Sequence, residues 1–313
     1  MPEELPMDWH RIRLTLATPT PTPFQADTIF GHLCWALAHT EGPDFLEVFL
    51  YLYGDGEPPL LLSNGFPGDL LPKPRLLARR PQTTDRARLL QDFRESKQAK
   101  KAEWLSPDEF EAARRGEVIV PSLHSGFKQQ VTMRTAINRS TGTAAEGTLF
   151  PTEELFPAGE HGGRVTIYAL VAPDFVACLR RCLSYLVASG WGKRKSVGYG
   201  AIASATLEPF AGFSAVEGAN GFISLSNFVP AAGDPTRGAW NTLVKRGKLG
   251  EELAAGGHPF KRPLIMLSAG SCFYDWPLRP YYGRLVEGVH PAHTQVVQYG
   301  LALPVSARLP EGE

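Results

Sequence analysis

The first regular pattern along the chain is an alternation of apolar and polar side chains over residues 11–18. Ile12, Leu14 and Leu16 share one face, which predicts a half-buried strand at Arg11–Thr18. After a loop rich in proline and threonine, Asp27 is placed to cap a helix. The apolar positions that would form the buried face of this helix are Ile29, Phe30, Leu33, Cys34 and Leu37. The chain is therefore predicted to open with a strand and a helix.

A second strand–helix–strand unit is predicted further along the chain. Arg164–Ala172 alternates as a strand, and Pro173 suits the first turn of a helix that runs to about Ser189. Gly190 is placed to end this helix, because glycine readily adopts a positive φ at that position. Gly200–Leu207 then predicts a returning strand. The two units together fit a ferredoxin-like sandwich, with helices on one face of an antiparallel sheet.

The rest of the chain predicts a second part that is rich in strands. Gly212–Gly221 has the composition of a linker. The short strands predicted beyond it are Phe222–Val229, Pro263–Leu267, Ser271–Tyr274 and Gln295–Leu303. We therefore expect an α+β protein with one domain over residues 1–210, carrying a basic insertion at about 70–125, and a second domain over residues 211–313.

The insertion is distinguished by its charge. Between Pro72 and Lys101 the chain carries ten basic residues and three acidic ones. Ser106 and Glu109 then have the spacing of a capping box, which predicts a short helix ending near Gly116. A charged and weakly apolar segment of this kind is expected to project from the sandwich.

Composition limits the classes of function. The 32 lysine and arginine residues balance the 32 acidic residues, so any surface that binds nucleic acid must gather its cations locally. The four cysteines form no CxxC pair, which favours buried thiols in a reducing compartment. No apolar run approaches about 18 residues, and the N-terminus does not resemble a secretion signal. We therefore expect a cytoplasmic protein without a membrane segment.

The strongest local motif is the glycine- and lysine-rich segment at residues 190–200. The candidates for nucleic-acid contact in it are Gly190, Trp191, Gly192, Lys193, Arg194, Lys195, Ser196, Gly198, Tyr199 and Gly200. Glycines let a phosphate approach the backbone, the basic side chains supply charge, and the two aromatic rings are candidates for stacking on bases. The spacing fits neither a Walker loop nor a dinucleotide fingerprint. A plain tight turn with solvated charges is the alternative.

A second candidate surface covers residues 127–156. Its cations and one neutral hydrogen-bonding group are Lys128, Arg134, Arg139 and Asn138, and no acidic residue separates them. Side chains of these types commonly contact phosphate and sugar. An ordinary polar hairpin is the alternative.

Catalytic patterns are weak along the whole chain. His32 lies in the first predicted helix and has the chemistry of a general acid or base, but the sequence identifies no partner for it. The surroundings of His124 resemble no nucleophile elbow. His290 and His293 have no carboxylate or thiol at ligand spacing, which argues against a zinc site. We therefore expect a binding protein without a metal or cofactor.

Several segments together resemble a known family. They are residues 26–35, 134–139, 141–147, 149–150, 190–200, 260–263, 270–273 and 298–300. The first resembles the first-helix signature of RAMP proteins of CRISPR systems, and residues 190–200 resemble their glycine-rich loop. In order and spacing, from about residue 10 to 305, the set is similar to the RAMP subunit that caps the 5′ end of the guide RNA in type III-A (Csm) effector complexes.

The resemblance implies two ferredoxin-like domains side by side and an inserted thumb that presses into the guide RNA. It also implies contacts with the large polymerase/nuclease subunit and with a backbone RAMP subunit. The repeat-derived 5′ tag of the crRNA would lie along a surface that includes the glycine-rich loop, and we add His32 to the predicted contacts. The implied role is binding without catalysis.

Three alternatives stay open. One is a metal-independent RAMP endoribonuclease that cleaves CRISPR repeat RNA, with His32 or His124 as its acid or base. Another is a protein-docking scaffold whose basic surface is incidental. The third is the equivalent subunit of the sister type III-B complex.

Overall fold

The computed structural model describes residues 7–75, 101–255 and 258–310. The α-helices are α1 (Ala26–Thr40), α2 (Pro43–Gly54), α3 (Pro107–Arg114) and α4 (Val176–Ser189), and short 3-10 helices lie at Gly159–His161, Pro173–Phe175, Lys195–Val197 and Glu251–Ala255. The first strands are β1 (Asp8–Leu16), β2 (Leu60–Pro67), β3 (Leu71–Pro72), β4 (Trp104–Leu105), β5 (Phe127–Arg134), β6 (Ile137–Asn138), β7 (Thr143–Ala144), β8 (Phe150–Pro157), β9 (Arg164–Val171) and β10 (Ile202–Pro209). The later strands are β11 (Gly221–Ser224), β12 (Gly238–Ala239), β13 (Thr242–Lys245), β14 (Leu264–Leu267), β15 (Cys272–Phe273), β16 (Tyr282–Gly283), β17 (Leu301–Ala302) and β18 (Pro304–Ala307).

A four-stranded antiparallel sheet in the order β10-β1-β9-β2 forms the centre of the N-terminal part. Ile12, Leu14 and Leu16 of β1 are buried in one core with apolar side chains of α1 and α4, because alternate side chains of a strand point to the same face. The predicted strand–helix and strand–helix–strand units are both found. Their ends differ from the prediction by at most three residues.

Two elements of this part have no counterpart in the sequence prediction. In β2 every residue except Asn64 is buried, so neither face of the strand shows the polar alternation that marks a half-exposed strand. Helix α2 exposes Phe45, Val48 and Tyr51 and buries Phe49. Apolar side chains therefore occupy both of its faces and hide its helical period.

The fold is a mixed α and β structure with mostly antiparallel sheets and few helices. The C-terminal part contains the four-stranded sheet β12-β15-β11-β18 and the two-stranded pairs β13–β14 and β16–β17. Among the described residues beyond 210 there is a 3-10 helix but no α-helix. The prediction of two ferredoxin-like domains is therefore not confirmed.

Side chains from the two parts share one core, and buried hydrogen bonds join them. The Oδ1 atom of Asn64 accepts from the backbone N–H groups of Ala26 and Asn227, at 2.9 and 3.2 Å. The hydroxyl of Tyr299 accepts from the backbone N–H of Leu62 at 2.9 Å. The two parts on either side of the predicted domain boundary thus pack against each other. The division into two domains stays a prediction.

The capping box predicted at Ser106 and Glu109 is confirmed. Ser106 Oγ accepts from the Glu109 backbone N–H at 3.3 Å, and the Glu109 side chain accepts from the Ser106 N–H at 2.9 Å. At the other end of α3, the buried guanidinium of Arg114 pairs with Glu111 at 2.6 Å and donates to the Ser306 carbonyl at 2.9 Å. Helix α3 is therefore fixed to β18 in the C-terminal part.

Residues 76–100, which carry seven of the ten basic residues counted in the predicted insertion, lie outside the described residues. The inserted thumb therefore stays a prediction. Of the helices within residues 7–75, 101–255 and 258–310, none has both the length and the apolar character needed to cross a membrane.

Candidate nucleic-acid interface

Residues 190–200 form a loop between α4 and β10, here called the glycine loop. Gly190, Gly192, Gly198 and Gly200 all have positive φ, between 64° and 88°, a conformation that favours glycine. A Cβ atom on Gly200 would lie 2.0 Å from the Trp191 carbonyl oxygen, whereas a Cβ on Gly198 would meet nothing within 4 Å. The loop is thus closely packed at its ends and open near Gly198.

Trp191 lies beneath the glycine loop. Its indole is fully buried, donates from Nε1 to the Thr22 carbonyl at 2.9 Å and stacks on Phe24 at a centroid distance of 4.5 Å. Its backbone N–H donates to the Gly200 carbonyl at 2.8 Å and so joins the two ends of the loop. The prediction that Trp191 stacks on a base is therefore wrong, because the ring has no exposed face.

His32 of α1 also supports the loop from below. Its Nε2 atom accepts from the Gly192 backbone N–H at 3.1 Å, and its ring lies 4.4 Å from that of Trp191. An imidazole that accepts at Nε2 must be unprotonated there. Burial, and then the nearby Lys195 ammonium, lower the pKa of His32 to about 4. His32 is therefore a neutral hydrogen-bond acceptor that positions the loop.

The three consecutive cations of the loop differ in their surroundings. Lys193 and Arg194 are exposed, as is Ser196. Arg194 has positive φ and lies over the Phe150 ring, with the guanidinium carbon 5.0 Å from the centroid. Lys195 instead forms an ion pair with Glu251 at 2.7 Å. Two of the three predicted cations are thus directed to solvent, and the third is already neutralised.

Tyr199 joins the loop to the hairpin of β5 and β8, here called the hairpin arm. Its hydroxyl donates to Glu154, and the guanidinium of Arg134 lies over its ring at 4.9 Å. Arg134 also pairs with Glu154 at 3.2 Å. The hydrogen bond from Tyr199 lowers the pKa of Glu154. Stacking of a base on Tyr199 is therefore also contradicted, since Arg134 covers a largely buried ring.

The hairpin arm carries the other predicted contacts. Strands β5 and β8 pair antiparallel from Phe127 opposite Pro157 to Arg134 opposite Phe150, and the short pair β6–β7 follows at the tip. Lys128, Asn138 and Arg139 are exposed on the arm. Asn138 Oδ1 accepts from the backbone N–H of Ser140 at 2.9 Å, so part of its hydrogen-bonding capacity holds the turn.

The sequence reasoning missed the segment that supports the loop from the other side, between β1 and α1. Thr22 Oγ1 accepts from the Lys193 backbone N–H at 3.0 Å, and Thr18 Oγ1 accepts from the Ala201 N–H at 2.9 Å. The Pro19 carbonyl accepts from the Gly200 N–H at 2.9 Å. The signal was the proline- and threonine-rich composition, whose hydroxyl groups favour local contacts with the backbone.

The structure also bears on metal binding. In the part of the chain that the structure describes, no three histidine, cysteine, aspartate or glutamate side chains are grouped to hold a metal ion. His124 is paired with Glu109 at 2.8 Å, and His290 accepts from the backbone N–H groups of Ala292 and His293 at 3.2 Å. What the glycine loop offers to a ligand is exposed cations, a main chain that can be approached near Gly198, and hydrogen-bonding groups.

Comparison with known proteins finds similarity to solved structures. No protein-family model and no curated protein sequence matches the chain. The Csm1–Csm4 cassette in complex with cA4 contains a chain with a TM-score of 0.66 and 19% identity, covering 98% of this chain and 100% of that one. The cassette in complex with pppApA gives a TM-score of 0.65 at the same identity and coverage.

A third solved structure agrees. It is the Csm3–Csm4 subcomplex of the type III-A CRISPR–Cas interference complex, with a TM-score of 0.64, 12% identity, and coverage of 96% of this chain and 100% of that one. Csm4 is the component that these assemblies share. The chain has a Csm4-like RAMP fold. The resemblance found in the sequence motifs is thus confirmed as a resemblance of fold. Within this fold the glycine loop lies beside the hairpin arm.

The position of His32 predicts a specific pH dependence of stability. Since its pKa is about 4 in the folded chain and about 6.5 when exposed, the unfolded chain takes up a proton below pH 6.5 that the folded chain does not. The free energy of unfolding should therefore fall between pH 6.5 and 4, by up to about 3 kcal/mol from this group. Urea unfolding of the wild type and of His32→Gln, which keeps an acceptor but cannot be protonated, measures the difference. Parallel pH curves for the two proteins would contradict a buried neutral histidine.

Proposed function

We propose that the protein is a subunit of a type III-A CRISPR effector complex and binds the repeat-derived 5′ tag of a crRNA. The observation that carries the proposal is the contact of two cationic segments that are distant in sequence. Arg134 of the hairpin arm lies over Tyr199 of the glycine loop, and Arg194 of the loop lies over Phe150 of the arm. The Csm4-like fold, which extends over nearly the whole chain, supports this choice of assembly.

The exposed groups of this surface suit the backbone of a single strand. In this proposal four exposed cations contact phosphate oxygens, namely Lys193 and Arg194 of the loop and Lys128 and Arg139 of the arm. The open space beside Gly198 lets a sugar or phosphate approach the main chain. Such contacts position a strand without reading its sequence. The neutral overall charge of the chain is compatible with this role because these four exposed cations lie on the loop and on the arm that contacts it.

The role proposed for the chain is binding without catalysis. His32 uses Nε2 to hold the Gly192 N–H and has a pKa of about 4, which makes it a poor acid or base near neutral pH. His124 is held by the Glu109 carboxylate, which also belongs to the capping box of α3. Both histidines named for the endoribonuclease alternative therefore have structural partners.

A separate surface suits a protein partner within the assembly. The exposed face of α2 presents Phe45, Val48 and Tyr51, at exposures of 40, 60 and 66%. Asp44 and Glu47 are exposed beside them, and in the described part of the chain no cation pairs with either. Acidic groups repel RNA, whereas an apolar stripe with an acidic border fits a protein surface that is apolar and bordered by lysine or arginine. We assign this face to a contact with a partner Csm subunit.

The loop cations can be tested by RNA binding. Lys193→Ala and Arg194→Ala should each weaken binding of a single-stranded RNA that carries the 5′ tag, and each should reduce the slope of log affinity against log salt by about 0.7. Lys195→Ala should have a smaller effect, because its ammonium is bound to Glu251. Fluorescence anisotropy over a range of salt measures both quantities, with exposed Arg180→Ala on α4 as the control. Unchanged affinity and slope in both loop variants would refute the role of the loop.

The absence of catalysis is tested with labelled repeat RNA in the presence of EDTA. We expect no specific cleavage by the purified wild type, and the same result for His32→Gln and His124→Gln. Specific products that disappear in either variant would identify a metal-independent endoribonuclease and would contradict the binding role.

The α2 face is tested by co-purification. The partner subunits to be recovered are the counterparts of Csm1 and Csm3. Val48→Asp should prevent recovery of at least one of them, because a charge would be buried at the centre of the contact. RNA binding should be unchanged. Val118→Asp, at a position that is 81% exposed outside α2, is the control. Recovery of both partners with the Val48→Asp chain would remove the α2 face from the interface.

A further inference from the structure

Residues 242–249 and 259–267 form a two-stranded ribbon, here called the C-terminal ribbon. Strands β13 and β14 pair from Thr242 opposite Leu267 to Lys245 opposite Leu264. The pairing continues beyond them, since the Lys261 N–H donates to the Gly247 carbonyl at 2.9 Å and a bridge joins Lys248 to Phe260. The ribbon therefore presents two faces, as a strand pair must.

The inner face of the ribbon is fixed to the body of the protein. Lys245 Nζ lies 2.8 Å from Asp27 Oδ2 at the start of α1 and donates to Gln25 at 2.6 Å. Lys261 Nζ donates to the Val297 carbonyl at 2.9 Å and to Gln298 at 3.0 Å. Burial lowers the pKa of Lys261. These two lysines are used in packing and are not free to bind a ligand.

The outer face carries cations and apolar side chains at alternate positions. Val244, Arg246 and Lys248 are exposed, whereas the residues between them are half-buried. Opposite Lys248, Phe260 is 57% exposed, with the Lys248 ammonium 6.0 Å from its ring centroid. Arg262 is exposed as well. In residues 7–75, 101–255 and 258–310, no carboxylate forms an ion pair with these three cations.

The chain of the ribbon runs directly to the glycine loop. Gly250 packs on Trp35 of α1, where a Cβ would lie 2.8 Å from the indole Nε1. Glu251 then accepts from Lys195 of the loop at 2.7 Å. Glu251 has a positive φ of 45°, a conformation that costs free energy in a residue with a side chain. The ion pair thus fixes the end of the ribbon against the loop, and the two cationic surfaces are adjacent.

We propose that the outer face of the C-terminal ribbon, with Arg246, Lys248, Phe260 and Arg262, is a second contact site for single-stranded RNA. This inference rests on the proposed function and extends its surface from the N-terminal part to the C-terminal part. The cations bind phosphates, and the exposed Phe260 ring stacks on a base, a role that neither Trp191 nor Tyr199 can fill. RNA is favoured over a protein partner because three unpaired cations lie together on this face and adjoin the glycine loop.

The test uses two variants of the full chain with distinct signatures. Arg246→Ala/Lys248→Ala should weaken binding of the tag RNA and lower the salt slope by about 1.4, which is about 0.7 for each lost phosphate contact. Phe260→Ala should weaken binding by about 5- to 150-fold with the slope unchanged, because stacking involves no counterion release. Phe260→Trp should retain binding. Arg180→Ala is the control, and equal thermal midpoints show that each variant is folded.

The outcomes separate this inference from the proposed function. If the loop variants lose RNA binding but the ribbon variants bind RNA as the wild type does, the inference about the ribbon is overturned and the proposed function stands. If the ribbon variants keep RNA binding but fail to recover a partner subunit, the ribbon is a protein contact and the inference is also overturned. A wild-type chain that does not bind the tag RNA would overturn both proposals.

Discussion

The burial of Trp191 beneath the glycine loop is the contact on which the proposed RNA surface depends. The indole N–H and the backbone N–H of this residue join the segment after β1 to the Gly200 carbonyl, and His32 holds the next amide. Because the two ends of the loop are closed over the Trp191 ring, Lys193, Arg194 and residues 196–198 are directed outward. A surface that is ordered before the ligand arrives loses less conformational entropy on binding.

Charge is distributed so that a neutral chain can present a cationic surface. Some cations are used inside the molecule, such as Arg114 with Glu111, Lys245 with Asp27, and Lys195 with Glu251. Other cations are exposed, and they include those of the hairpin arm, the glycine loop and the C-terminal ribbon, three surfaces that are joined by Arg134, Arg194 and Glu251. Exposed acids on α2 lie beside apolar side chains instead. Local arrangement therefore decides which surface suits RNA and which suits protein.

The sequence predicts the helices and strands that have one apolar and one polar face. It does not predict those whose two faces are alike. The alternation in β1 and the helical period of α1 and α4 gave their positions to within three residues, whereas β2 is buried on both faces and α2 is apolar on both. At the proposed site, residue type singled out the loop and the arm, two segments that the structure brings into contact. It could not show that Trp191 and Tyr199 point inward, because a buried and a stacking aromatic ring have the same sequence signal. Of the ribbon, the sequence predicted the strand at Pro263–Leu267 but not its partner β13, because the inner Lys245 and the outer Arg246 and Lys248 appear in the sequence as one short basic stretch.

Photo-crosslinking would show which residues of the chain contact the RNA. A tag RNA with photoreactive nucleotides along its length would be bound to the full chain, irradiated, and the crosslinked peptides mapped by mass spectrometry. We predict crosslinks at residues 193–198 and on the hairpin arm and C-terminal ribbon, with none at Trp191 or Tyr199. Crosslinks confined to α2 or to the exposed face of α4, with none on the glycine loop, would contradict this prediction.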